Sequence, residues 1–283
     1  MQNALTFDVE EYFHVEAFTG VVHRDQWPQL SSRVADSTRR ILDLLDAHGV
    51  SATFFVLGWV AGRHGGLVRE IQARGHEIGC HSHAHRMITT MTPVEFRTDV
   101  RDARRTIEDA TGEPVLGYRA PTFSVVRRTL WALDVLGEEG FQYDSSVFPI
   151  HHDRYGIPDA PRFPHRVTLR GGGELVEFPM TTVPFGRARL PLTGGGYFRL
   201  APYALVRAGL ARVNAEGEPA MVYLHPWELD PGQPRMPVHG LSRFRHYVNL
   251  GGTAAKLGRL LRDFTFGPAA DVLAARGLVE ALR

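Results

Sequence analysis

The sequence has little cysteine, no long hydrophobic run and no excess of charge of either sign. Its 283 residues include one cysteine, Cys80, which excludes an internal disulfide and gives no sign of an oxidising compartment. No stretch approaches about 18 uninterrupted apolar residues, so no transmembrane segment is predicted. Basic residues number 32 against 31 acidic ones, and no basic block is interleaved with aromatic residues, which argues against nucleic-acid binding.

The N-terminus also lacks the features of an export signal. MQNALTFDVEEYF has neither a positively charged segment nor a long apolar one, and from this we expect a cytoplasmic protein. The hydrophobic fraction of 43% is ordinary for a globular protein with a sizeable core. The composition does not indicate an oligomeric state.

What the sequence does contain is a regular alternation of β-rich runs and amphipathic segments. Strands are predicted over 4–9, 51–58, 76–80 and 219–225, and helices over 31–49, 66–75, 93–110, 125–137 and 202–214. Such a rhythm predicts an α/β fold with a parallel sheet or barrel. No repeat or shift in composition marks a second domain, so we predict one domain over 1–283. The glycine triplets at 171–173 and 194–196 are interpreted as loops.

Polar residues follow the predicted strands at the point where each strand ends. They are Asp8, Glu10 and Glu11, the histidines of 81–85, Arg119 with Pro121, Asp144, and His225 with Glu228. In a parallel barrel, functional groups gather where strands end and loops begin. The sequence therefore predicts one shared catalytic site.

The stretch HEIGCHSHAH, residues 76–85, holds four of the 14 histidines. If the chain turns here as in a helix, His81 and His85 lie on one side and can coordinate one cation. If the strand continues instead, His83 joins them on the same face. Two histidines and one carboxylate leave coordination positions free for water and substrate, as a hydrolytic metal site requires. Cys80 is interpreted as a small buried residue, with metal binding as the alternative.

The carboxylate of such a site should come from DVEE, residues 8–11. Asp8 and Glu10 would point the same way on a strand, while Glu11 would turn outward unless the strand ends first.

Several motifs, in the right order, resemble those of the polysaccharide deacetylases of the NodB-homology class, carbohydrate esterase family four. TFDVE stands in the place of the TFDD motif, HSHAH matches H-S/T-x-x-H, RAPTFS matches the arginine–proline motif, and VYLH matches the closing hydrophobic-x-hydrophobic-His. FDVEEYFHV, YDSSVFPIHHDRYG, GGGYFR and HPWELDPGQPR resemble a subgroup found with exopolysaccharide and exosortase gene clusters. The resemblance covers about residues 4 to 266.

This resemblance implies a distorted (β/α)7 barrel, on which we expect the segment of about 230–283 to pack as an extension. It implies hydrolysis of an acetyl group, most simply the N-acetyl group of a GlcNAc-type sugar, in a polysaccharide or oligosaccharide. The implied cofactor is a divalent metal, Zn²⁺ first, with Co²⁺, Ni²⁺ and Mn²⁺ as alternatives. A lipid-linked substrate at the inner membrane face is a further expectation.

Carried over residue by residue, the resemblance implies that His81 and His85 bind the metal and that Asp8 is the general base. It also implies that Arg119 holds this base in place and that His225 is the general acid. Asp144 is a candidate catalytic residue, as the partner that raises the pKa of His225.

One position departs from the family pattern, because Val9 replaces the second aspartate, a metal ligand. Glu10 is our leading replacement and Glu11 the alternative. An exchange of roles between Asp8 and Glu10 stays open.

Further candidates contact the substrate or support the site. Pro121, Phe123, Tyr197 and Trp227 are substrate-binding candidates, since aromatic rings stack on sugars. Glu228 would orient His225 or pair with Arg235, Arg199 would bind an anionic group or form a surface ion pair, and His151–Asp153 is interpreted as a surface loop. The amphipathic segment 253–264 would contact anionic lipid or pack against the barrel.

Two other functions stay open. One is a related amidohydrolase acting on a small cyclic amide or ureide, since some NodB-like proteins with that activity lose metal ligands at the first motif. The other is a non-catalytic carbohydrate-binding module.

Overall fold

The computed structural model describes residues 1–186 and 188–280, and it is built around one large sheet. The strands of these residues are β1 (Gln2–Val9), β2 (Thr53–Val56), β3 (Glu77–Cys80), β4 (Gly117–Tyr118), β5 (Tyr143–Asp144), β6 (His165–Thr168), β7 (Glu174–Glu177), β8 (Val183–Phe185), β9 (Ala188–Leu190), β10 (Met221–Leu224) and β11 (Thr265–Gly267). The helices are α1 (Val34–Asp46), α2 (Gly58–Arg63), α3 (Gly65–Ala73), α4 (Pro93–Thr111), α5 (Trp131–Glu138), α6 (Gly195–Leu200), α7 (Tyr203–Ala215), α8 (Gly240–Tyr247), α9 (Leu250–Asp263) and α10 (Ala269–Ala274).

The strands lie in the order β10-β1-β2-β3-β4-β5-β7-β6, with β11 also beside β1. All neighbours are parallel except β6, which runs antiparallel to β7. Over the described ranges no ladder joins β7 to β10. Instead, Tyr223 N donates to Thr193 O at 3.1 Å on the open side of β10. The predicted α/β fold is confirmed as a distorted barrel that backbone hydrogen bonds do not close.

Helix α4 forms where the sequence predicts it, because its start signal is local. Thr92 Oγ1 accepts from Glu95 N at 3.3 Å, and Thr92 N donates to Glu95 Oε2 at 2.8 Å. Both ends of this capping box satisfy N–H groups that a helix start leaves unpaired. Gly112 ends the helix in the left-handed conformation, with φ of 75°.

Two local predictions differ from the structure. Residues 125–130 were predicted to begin a helix, but Val126 N donates to Thr129 Oγ1 at 2.8 Å, and this side-chain bond holds a 3₁₀ turn before α5. The triplet 194–196 was interpreted as a loop, yet its last two glycines begin α6. Gly194 is required there because a Cβ would lie 2.0 Å from the Tyr223 ring.

The amphipathic segment 253–264 packs against the barrel as part of α9. Leu257, Leu260 and Leu261 are buried in the main core, and Phe264 packs against it. Its apolar face is therefore covered by protein, and contact of these leucines with lipid is excluded. None of the described helices is both long and apolar enough to cross a membrane. The expected extension 230–283 ends in 281–283, which lie outside the described residues.

Candidate active site

Residues at the carboxyl ends of β1, β3 and β10 meet in one cavity of about 280 Å³. Asp8 and Glu10 come at the end of β1, His81 and His85 after β3, and His225 after β10, and all five line the cavity. They converge because the parallel ladders bring the carboxyl ends of these strands to the same edge of the sheet.

Glu10, His81 and His85 form a buried group of metal-ligand type. Their ligand atoms all lie within 4.8 Å of one another, and His85 Nε2 is 2.8 Å from Glu10 Oε2. His81 Nδ1 lies 2.8 Å from the carbonyl oxygen of Arg119, to which it donates in the tautomer that leaves Nε2 a free lone pair.

The segment from His81 to His85 is neither of the two shapes considered from the sequence. It is an irregular turn in which Ser82 and His85 adopt positive φ of 69° and 48°. The turn is held by Asp99, which accepts hydrogen bonds from Ser82 Oγ and from the main-chain N–H of His83. The His83 ring lies against Gly58, where a Cβ would come 2.5 Å from Nδ1, and so it is not part of the ligand group.

The charges of this group suit a cation. Burial raises the pKa of Glu10, but His85, His225 and His81 lower it by more, so the net pKa falls below its ordinary value. Burial lowers the pKa of His81 to about 4, which keeps that imidazole neutral at pH 7. Trp227 Nε1 donates to Glu10 Oε1 at 3.0 Å and fixes the carboxylate.

Glu11, the alternative ligand, lies away from the cavity. Its carboxylate accepts hydrogen bonds from Ser32 Oγ and from the main-chain N–H of Arg33, at 3.0 Å for the latter. Burial raises the pKa of Glu11, while these hydrogen bonds lower it. Glu11 therefore holds the chain before α1, and the structure does not bring it to the histidines.

Asp8 is fixed by a fully buried arginine. Arg119 Nη1 donates to Asp8 Oδ1 at 2.8 Å and to Thr6 Oγ1 at 2.7 Å. Arg119 Nε also donates to Ser145 O at 3.1 Å, so the guanidinium is held from both sides. The remaining Asp8 oxygen, Oδ2, lies 3.8 Å from His225 Nε2 inside the cavity.

Glu228 orients His225. This was the first of the two roles considered for Glu228, the second being an ion pair with Arg235. His225 Nδ1 lies 3.0 Å from Glu228 Oε2, and Arg199 Nε donates to Glu228 Oε1 at 2.6 Å. Burial lowers the pKa of His225, but the bond with Glu228 and the charge of Glu10 raise it to about 9. Arg199 therefore forms an ion pair, but the pair is buried and does not lie at the surface as expected. Arg199, and not Arg235, is the arginine that pairs with Glu228.

The structure contradicts the placement of Asp144 beside His225. Asp144 is buried behind the cavity, where Ser146 Oγ donates to its Oδ1 and the Glu177 carboxyl lies close. Burial raises its pKa to about 6. The carboxylate beside His225 is that of Glu228, four residues after the end of β10, and not that of Asp144. Asp144 cannot take this place because the end of β5 faces the sheet interior.

The predicted substrate-contact residues divide into two sets. Phe123, Tyr197 and Trp227 line the cavity, whereas Pro121 is buried and does not. Phe123 is brought there by consecutive positive φ values of 55° at Thr122 and 49° at Phe123. The Trp227 ring stacks on His225 with centroids 5.0 Å apart.

Sequence reasoning missed part of the cavity wall. His152, from the segment 151–153 interpreted as a surface loop, lines the cavity, and so do Arg154 and Tyr155 directly after that segment and Arg245 of α8. The signal was present in HHDRYG and FRHY, whose histidines, arginines and tyrosines are concentrated in a few positions.

Comparison with known proteins gives two family matches. Residues 4–141 match the model described as "Polysaccharide deacetylase", and residues 145–274 match "Domain of unknown function (DUF3473)". A chitooligosaccharide deacetylase of Bradyrhizobium sp. (strain ANU 289) is 31% identical over 99 residues, which are 35% of this chain and 43% of that protein. The chain spans less than half the length of the curated relatives it matches.

Two solved structures share the fold. A putative polysaccharide deacetylase from Mycobacterium smegmatis has a TM-score of 0.65 and 22% identity, covering 99% of this chain and 92% of the other. An allantoinase has a TM-score of 0.62 and 18% identity, covering 98% and 91%. At these identities the likeness concerns the fold alone. The family match and the geometry of the site agree: residues 4–141 are similar to the polysaccharide deacetylase family, and they supply Asp8, Glu10, His81 and His85 to the cavity.

Proposed function

We infer that this protein is a metal-dependent hydrolase that removes N-acetyl groups from GlcNAc-type oligosaccharides or polysaccharides and releases acetate. One observation carries the proposal: a single cavity holds a fixed carboxylate, a Glu-His-His group and a cationic imidazole. The printed name of the Bradyrhizobium relative supports the acetylated sugar as substrate class.

The residues present fit a divalent metal. The donor set is one carboxylate and two imidazoles, and among the described residues Glu10 Oε2 is buried without an aligned hydrogen bond. Glu10, His81 and His85 would hold the ion, Zn²⁺ first and Co²⁺, Ni²⁺ or Mn²⁺ as alternatives, with coordination positions left open. When bound, the metal supplies a Lewis acid for the acetyl carbonyl.

The chain's own residues supply the proton transfers. Asp8, held by Arg119, takes a proton from the attacking water as the new C–O bond forms. The amine leaves only when protonated, and His225, with a pKa of about 9, carries the required proton at neutral pH. Because Nδ1 faces Glu228, the proton is delivered from Nε2 as the C–N bond breaks, giving acetate and a free amine.

Acetate release from triacetylchitotriose by the zinc-loaded protein tests this proposal. Glu10→Gln should lose bound zinc and at least about 100-fold in kcat/KM, because a ligand is removed. Glu11→Gln is the matched control, since its carboxylate lies outside the cavity, and it should keep both metal and activity. A zinc-loaded protein that releases no acetate from the sugar would contradict the proposal, and release of product from a cyclic ureide instead would support the alternative hydrolase.

The exopolysaccharide pathway, a lipid-linked substrate and a cytoplasmic location stay predictions of the sequence. Fractionation of cells that express the native gene measures the location directly.

A further inference from the structure

Two arginines stand on one wall of the cavity without an acidic partner. Arg154 follows β5 in the chain, and Arg245 lies in the last turn of α8. Both are exposed at the cavity and, over the described residues, neither forms a salt bridge. Arg199, the other arginine of the cavity, differs because Glu228 neutralises it.

The two guanidinium groups lie near the same imidazole. Burial lowers the pKa of His152, Asp153 raises it, and both Arg245 and Arg154 lower it again. The His152 ring stacks on Tyr155 at 3.8 Å between centroids. Two guanidinium charges from distant parts of the sequence therefore act on the same ring of the cavity lining, and an anion bound beside that ring would be attracted by both.

Two acidic residues near these arginines, Asp153 and Glu16, form no salt bridge with either of them over the described ranges. Asp153 Oδ1 lies 3.0 Å from His152 Nδ1. The Glu16 carboxylate also lines the cavity, but its charge interacts with that of Arg24. In the described part of the chain, no carboxylate therefore lies within ion-pair distance of Arg154 or Arg245.

Buried contacts hold both segments in place. Tyr155 packs on Phe123 and Phe148, with ring centroids 5.9 and 5.7 Å apart. The end of α8 is tied to the buried Arg199, whose Nη2 donates to Arg245 O at 2.8 Å. A solvated pair of surface arginines needs no such anchoring beside a catalytic cavity.

We propose that the cavity selects acetylated sugars that carry an oxyanion, a carboxylate or a phosphate, and that Arg154 and Arg245 bind this group while the acetyl group lies at Asp8 and Glu10. This inference rests on the proposed deacetylase function and names its substrate class. Arginine suits the role because its planar fork donates two parallel hydrogen bonds to a carboxylate or phosphate.

Three acetylated sugars test the inference: neutral triacetylchitotriose, a hyaluronan tetrasaccharide with carboxylates, and N-acetylglucosamine 1-phosphate. With the zinc-loaded enzyme, kcat/KM for at least one anionic sugar should exceed that for the neutral one by roughly 10-fold. The better of the two anionic sugars identifies the source of the oxyanion. Raising the salt from about 50 to about 300 mM should reduce the preference, because the arginines are exposed.

The variant R154Q/R245Q should lose about 10-fold in kcat/KM on the anionic sugars and clearly less on the neutral one, so that the anionic preference disappears. Arg243→Gln is the matched control, since Arg243 is an exposed arginine of the same helix that does not line the cavity. Equal kcat/KM for neutral and anionic sugars, or an equal loss on both in the double variant, would overturn the inference.

Binding separates this inference from the proposed function. Calorimetric titration of the Asp8→Asn variant with the same sugars needs no turnover, because the base is absent. Tighter binding of an anionic sugar that disappears with R154Q/R245Q supports the arginine wall even if no acetate is released from any sugar. If anionic and neutral sugars bind equally well, the proposed role of Arg154 and Arg245 is wrong, even if the protein is an active deacetylase.

Discussion

At the scale of single residues, the alternation of a strand decides which side of β1 each of Asp8, Val9 and Glu10 faces. Asp8 and Glu10 point to the cavity, while Val9 points to the opposite face and is fully buried in the main core. Glu10, the residue directly after β1, thereby places its Oε2 2.8 Å from His85 Nε2. Glu11, one position further, falls on the other side of the chain and binds Ser32 and Arg33.

The histidine cluster gives the first residue-scale prediction. His81→Ala and His85→Ala should each lower metal affinity by roughly 100-fold or more, because each removes one of three protein ligands. His83→Ala should keep the metal, since its ring lies against Gly58. Metal content after dialysis, measured by mass spectrometry, checks all three. Loss of metal in His83→Ala as complete as in the other two would show that the turn is wrongly described.

The His225–Glu228 pair gives a prediction on pH. Burial lowers the pKa of His225 and Glu228 raises it, to a net value of about 9, so the acid is protonated below that pH and activity falls as pH rises through it. In Glu228→Gln the negative charge is lost, and the basic limb of kcat should move down toward the ordinary value of 6.5. The amide oxygen can still accept from Arg199, and thermal unfolding checks that the variant is folded. A basic limb that stays in place would contradict the role of Glu228.

At the scale of elements, α9 is held by an apolar face that the barrel covers. Leu260 is fully buried, so Leu260→Ala should destabilise the protein by about 2–4 kcal/mol through lost burial and a cavity. Arg262→Ala, on the exposed side of the same helix, should change the free energy of unfolding by less than about 0.5 kcal/mol. Urea unfolding curves measure both. Equal stability of the two variants would mean that α9 does not pack as described.

At the scale of the whole molecule, the two family matches share one sheet and one site. β1, in the first match, pairs with β10, in the second, from Ala4 to Phe7. Asn3 binds Asn214 and the main-chain N–H of Ala220, and Arg119 reaches Ser145. The boundary near residue 141 thus divides the sequence match and not the folded structure.

This shared sheet predicts that residues 1–141 do not fold alone. The fragment would expose the edge of β1 that β10 covers and would lack His225. It should show no cooperative thermal transition, whereas the full chain should show one, as followed by near-ultraviolet circular dichroism. A fragment that unfolds cooperatively would contradict this prediction.

The sequence by itself determined the α/β fold, helix α4 and the set of polar residues at the strand ends, because these depend on local patterns. Hydrophobic periodicity and the capping box of Thr92 and Glu95 act within a few residues, and parallel strands bring their carboxyl ends together wherever the helices lie.

Only the tertiary structure decided which of these polar residues face one another. The turn at His81–His85 depends on positive φ at two non-glycine residues, and Asp99 of α4 helps to hold it through Ser82 and His83. Asp144 does not meet His225, because β5 lies between β4 and β7 and Asp144 stays buried there, whereas Glu228 is only three residues from His225 and the local 3₁₀ turn after β10 brings it back. Where the partner of a side chain lies in another segment, as for Asp8 with Arg119 and Glu10 with His85, the pairing is set by packing between segments, and a pattern within one segment carries no information about it.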